Sequence, residues 1–170
     1  VATRGARLVL AHHDFRVRDM SVAESIDVIE IDADNRIVAL VTFDSDHVGT
    51  AFAELDARYL AGEAAAHART WSVVAGVYTA FNRRELPATT PDVVSIDHRR
   101  VAAFPPGEGI DYIRAGWEEL DQNVTIYIET VHRVSDLGAV ITWAGHGTSR
   151  AGFAAEWRGV NLVTVDGDMV

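Results

Sequence analysis

The chain has 170 residues, 48% of them apolar and 24% charged, which suits one globular core burying roughly 70% of the unfolded surface. It has no cysteine, and all 15 of its basic residues are arginine, which excludes disulfides, thiolate zinc sites, cysteine nucleophiles, Schiff-base lysines and Walker-type phosphate loops. The net charge of −10 argues against nucleic acid and anionic membranes as partners, and the lack of a long apolar run or secretory leader leads us to expect a cytoplasmic protein.

In chain order, Arg7 to Val17 reads as a strand and Glu24 to Asp32 as a second. Asp32-Ala33-Asp34-Asn35 makes a turn, and Arg36 to Phe43 resumes as a third strand of an antiparallel meander. Asp44-Ser45-Asp46 offers N-caps for a helix whose Val48, Phe52, Leu55 and Tyr59 recur at helical spacing until Gly62. A second helix, from about Glu63 to Asn82, carries the apolar stripe Ala68, Trp71, Val74, Tyr78 and Phe81.

Pro87 and Pro91 end that region, and Asp92 to Arg99 alternates Val94, Ile96 and His98 against Ser95, Asp97 and Arg99 in the manner of a strand with one buried face. The Phe104-Pro105-Pro106-Gly107 run is a loop. A short helix follows, marked by Ile110, Ile113, Trp117 and Leu120, and then three long strands over Val124 to Val134, Ala139 to His146 and Phe153 to Val165.

An internal repeat underlies this order. Ile31 to Val38 lines up with Val163 to Val170 at an offset of 132 residues, and Glu24 with Glu156, Val28 with Val160 and Leu8-Val9-Leu10 with Val140-Ile141-Thr142 keep the same register. Residues 1–61 then read as the C-terminal strands and helix of one repeat, and residues 62–170 as a second, nearly complete one, the two able to form one composite domain. In the second copy the equivalents of Arg36 to Phe43 and Val48 to Tyr59 do not follow. Its sheet edge is therefore expected to be completed by strands from residues 7 to 43, within the chain or by exchange across a homodimer.

The order of helix, proline turn, strand Val93 to Arg99, short helix and long meander, together with the phrases Ala80-Phe81-Asn82-Arg83-Arg84 and Phe43-Asp44, resembles the nuclear transport factor 2-like, or SnoaL-like, superfamily. In particular it resembles tandem modules of large actinobacterial regulatory proteins, and arginine in place of lysine accords with GC-rich coding. The resemblance implies an α+β fold, a curved antiparallel sheet forming a cone around helices (a cystatin-like roll), permuted or strand-exchanged in this chain. It also implies a pocket at the open end and no cofactor. Members of the superfamily include isomerases, cyclases, dehydratases, ligand carriers and silent assembly domains, so fold alone does not give function.

The nucleophile elbow, phosphate loop, HExxH and dinucleotide fingerprint are all missing from the sequence. Candidate catalytic residues are Asp97 or His98 as a base, neighbours on a strand that point to opposite faces, with Tyr127 as electrophilic partner. Candidate ligand-binding residues are Trp71, Trp117, Trp143 and Trp157 around a ring-shaped apolar ligand, Arg114 for an anionic group, and His146, which is placed to meet Glu156 across a strand pair. Packing accounts for the tryptophans equally well. Glu129 and His132, and likewise His12 and His13, face opposite ways and make no metal site. The reading that follows is a non-catalytic small-molecule-sensing or assembly module, with an acid/base isomerase, cyclase or dehydratase as the alternative.

Overall fold

The structure, a computed structural model, describes residues 2–17, 20–98, 107–111, 114, 124–148 and 154–170. It is an α+β fold whose chain gathers into two compact units. One holds residues 1–68 with 129–132, the other 69–128 with 133–170.

The first unit is a meander capped by a helix. β1 (Ala2–Arg4), β2 (Leu8–Val17), β3 (Met20–Ile31) and β4 (Ile37–Asp44) pair antiparallel in sequence. The turn between β3 and β4 closes on Asp32, whose carboxylate accepts the backbone N–H groups of Asp34 and Arg36 while Asn35 takes φ 60°, a conformation that asparagine tolerates. Those hydrogen bonds, first among them that from Arg36, hold the Asp32 carboxyl below its usual range. α1 (Val48–Ala61) then returns over the sheet and buries Ala51, Leu55 and Tyr59 against the face that carries Leu8, Leu10, Ile26 and Val28.

The N-cap of α1 differs from the sequence reading. Asp44 is still the last residue of β4, and His47 occupies the cap position without a side-chain bond. The Asp44 carbonyl instead accepts the His47 N–H. Across the buried face the Arg4 guanidinium, itself fully buried, reaches Asp56 of α1 at 2.7 Å and lies over the Phe52 ring. Arg58 bonds both Glu54 and Glu30.

The second unit opens with α2 (Ala68–Asn82), preceded by a single 3-10 turn at Ala65–His67 where one continuous helix was expected. Trp71, Val74, Tyr78 and Phe81 form its buried stripe. The predicted strand over Asp92 to Arg99 shrinks to β5 (Val94–Ser95), paired with β6 (Gly107–Glu108). Val94 and Ile96 are exposed, so the alternation there marks no buried face. β7 (Thr125–Ser135), β8 (Gly138–Thr148) and β9 (Ala154–Thr164) lie side by side in that order.

The sheet is mixed and not wholly antiparallel, because β1 runs parallel to β7, with Thr3 opposite Thr130. β9 is the last strand in the order β4-β3-β2-β1-β7-β8-β9. Among the described residues the strands from residues 7 to 43 therefore do not pair with β9 within this chain.

Candidate functional site

Two groups of polar and aromatic residues in the second unit are the candidates for function, and they stand on the two different faces of β8 and β9. Strand alternation puts Trp143, Gly145, Trp157, Gly159 and Asn161 on one face and His146, Glu156, Arg158, Val160 and Leu162 on the other.

On the first face the pairing is reciprocal, Trp143 lying opposite Gly159 and Gly145 opposite Trp157. A Cβ at Gly159 would come within 2.6 Å of Trp143 Nε1, so the glycine is the space into which that ring folds. Trp143 Nε1 donates to Asn161 Oδ1 at 3.2 Å, and Asn161 Nδ2 donates to the Tyr78 hydroxyl at 3.2 Å. Burial pushes the Tyr78 phenol up to about 12, partly offset by the Asn161 bond. Below this row, Asn82 both donates to the Ile126 carbonyl and accepts its N–H, and Arg84 donates to the Val124 carbonyl. These contacts clamp the end of α2 to the start of β7.

On the second face the Tyr127 hydroxyl lies 2.9 Å from His146 Nε2, with the rings stacked 5.5 Å apart, and His146 stands opposite Glu156 in the strand register. A proton shared between a phenol and an imidazole is a competent acid/base element in the open. Glu156 itself takes an ion pair from Arg158 at 3.1 Å.

The remaining candidates do not join either row. Asp97 is half-buried and His98 exposed, on the irregular segment after β5. Trp71 is fully buried on α2. Arg114 bonds Asp111 at 2.7 Å on an exposed segment, and Trp117 lies outside the described residues. The structure brings Tyr127 and His146, named separately from the sequence, into hydrogen-bond distance, and it gathers Trp143 and Trp157 around Gly145 on the other face. Tyr78, Asn161 and Asn82 were not singled out, since only the strand register and the helix contact give them partners.

The Gly145-His146-Gly147 stretch lies within β8, which runs two residues past the His146 expected as its end. Its glycines make room for neighbouring side chains, Ile126 and the tryptophans at Gly145 and Val124 at Gly147. An open groove of about 400 Å³ runs along the other side of α2, lined by Arg69, Val73, Val77, Leu86, Pro87 and Asp168 among others. None of the predicted site residues lines it. Arg69 and Asp168 close one end as an exposed ion pair at 2.8 Å, which holds the Asp168 carboxyl below its usual range. Among the described residues, the one cluster of three potential metal ligands is the exposed Asp44, Asp46 and His47.

Comparison with family models, with curated proteins and with solved structures found no match. No helix among the described residues is long and apolar enough to cross a membrane.

Proposed function

We propose that the chain is a non-catalytic assembly module of the nuclear transport factor 2-like kind, belonging to a larger cytoplasmic regulatory protein. The observation that carries this reading is the contrast between its two surfaces. The stripe of α2 that would border a pocket is packed, with Trp71 and Val74 fully buried and Tyr78 bonded to Asn161, whereas the large apolar residues Val160 and Leu162 stand bare on the edge strand β9. A packed stripe leaves little room along it for a small ligand, and a bare apolar face on a strand edge is what a polypeptide partner covers. The sensing version needs a ring-sized space, and the packing of the α2 stripe favours the assembly version over it. Assaying the full chain against polycyclic ketones, epoxides and lactones should give no turnover above buffer; turnover abolished by Tyr127→Phe or His146→Ala overturns the reading.

The Tyr127–His146 contact favours one second reading, an acid/base isomerase, cyclase or dehydratase of the SnoaL-like kind acting on a ring-shaped apolar substrate. Tyr127 would then polarise a carbonyl oxygen and His146 accept the proton. Asp97 and His98, the bases expected from the sequence, lie on a different segment from this pair.

A further inference from the structure

The two long hairpins superpose in register, residue for residue, yet their surroundings differ. In β2 and β3, Leu8 faces Glu30 and Leu10 faces Val28; 132 residues further on, Val140 faces Leu162 and Thr142 faces Val160. Every pair from Leu8–Glu30 to Phe15–Ala23 has its counterpart between Val140–Leu162 and Gly147–Ala155. Because side chains alternate with a period of two, identical register puts matching positions on the same face.

In the first hairpin that face is covered. β4 pairs along the far edge of β3, α1 returns across it, Arg58 reaches Glu30 at 2.8 Å, and Val28 is 0% exposed. In the second hairpin the counterpart of Val28, Val160, is 67% exposed and the counterpart of Glu30, Leu162, is 72% exposed. The far edge of β9 has no strand neighbour among the described residues. Unpaired strand edges beside bare aliphatic side chains are surfaces that natural sheets cover.

We propose that the free edge of β9 and the Val160–Leu162 face dock a strand followed by an amphipathic helix, a polypeptide segment of the pattern this chain carries at Ile37–Ala61. The proposal rests on the assembly reading above only in taking the partner to be polypeptide. The strand supplies backbone pairing to β9, and the helix lays small and aliphatic residues, as Ala51 and Leu55 do in α1, onto Val160. Leu162 replaces Glu30, so the helix residue that meets it is apolar where α1 has Arg58. The occupant is not β4 and α1 of a second copy. A reciprocal exchange would cover Val160 in one copy only by stripping Val28 in the other, with no net apolar area gained.

The test uses the full chain and two fluorescein-labelled peptides spanning residues 37–61, one with the natural sequence and one with Arg58→Leu, read by fluorescence anisotropy. We expect saturable binding, tighter for the Arg58→Leu peptide, and at least tenfold weaker to the Val160→Asp chain. Leu162→Asp serves as a second variant, and circular dichroism melts check that both substitutions, at exposed positions, leave folding intact. Absence of binding, or binding indifferent to both variants, overturns the proposal. So does a homodimer broken by Val160→Asp, which would assign the face to a second copy. Failure here with no catalytic turnover leaves the assembly reading standing; turnover removes that reading whatever the peptides do.

Discussion

A side chain at position 159 has no room, because a Cβ there falls 2.6 Å from Trp143 Nε1 and 2.9 Å from the adjoining ring carbon. Gly159→Ala therefore displaces Trp143, breaks its bond to Asn161 and loosens the hold of Asn161 on Tyr78. We expect a loss of about 1–3 kcal/mol, typical of overpacking, read as a lower urea midpoint together with a shift in tryptophan emission. Gly49→Ala in α1, where a Cβ meets nothing within 4 Å, is the control and should gain up to about 1 kcal/mol from helix propensity. Tyr78 makes a pH-dependent prediction through the same network. Its folded pKa, about 12, lies above the value near 10 of an unfolded tyrosine. The folded state therefore holds the phenolic proton more tightly; the contribution is intact below pH 10 and is lost as pH rises from 10 toward 12. Complete loss corresponds to about 2–3 kcal/mol. Urea titrations between pH 8 and 11 should show the natural chain weakening more steeply above pH 10 than Tyr78→Phe, which starts about 1 kcal/mol lower for want of the Asn161 bond. Equal slopes would show that the phenol is not held in the core as described.

At the level of elements, α1 is fixed to its sheet by a buried cation as well as by its apolar stripe. Asp56→Ala leaves the buried Arg4 guanidinium without its carboxylate, so we expect a loss of about 2–4 kcal/mol in chemical denaturation, with Asp56→Asn recovering part of it. The strands flanking α1 were legible because Leu8, Leu10, Ile26 and Val28 alternate cleanly and Asp32 to Asn35 spells a turn. The same signal misled over Asp92 to Arg99. Alternation states that a strand has two unlike faces, not that anything covers one of them, and the partner of Val94 and Ser95 is only the two-residue β6. The strand over Ala139 to His146 was legible despite Gly145, because glycine inside a strand marks close approach of a neighbour as readily as a turn. Of the candidate site, the opposition of His146 and Glu156 in the strand register was legible from strand spacing, whereas the Tyr127–His146 contact required the β7–β8 register, which no local pattern encodes.

For the whole molecule, charge and edge exposure act against each other. The repeat of 132 residues was visible in the sequence, and the matching hairpin registers are its structural form. What the sequence left open was where an unpaired edge would fall, because strand order depends on the parallel pairing of the three-residue β1 with β7, too short to leave a pattern. With β9 as the outer strand, the chain carries an edge flanked by Val160 and Leu162 on a molecule of net charge −10 at pH 7. Mutual repulsion keeps such edges apart near neutrality, and it vanishes toward the isoelectric point near 5.0. Dynamic light scattering at constant ionic strength should therefore show the hydrodynamic radius rising as pH falls from 8 to about 5 and recovering on return to neutrality. Adding salt at pH 7 should screen the same repulsion and raise the radius in the same direction. Val160→Asp adds a charge and removes an apolar contact at the edge, so it should move the onset of association to lower pH. An onset unmoved by that substitution would place the association elsewhere on the surface, with the exposed apolar residues of β2 and β4, Phe15, Val17, Ile37, Val38 and Leu40, as the next to be tested.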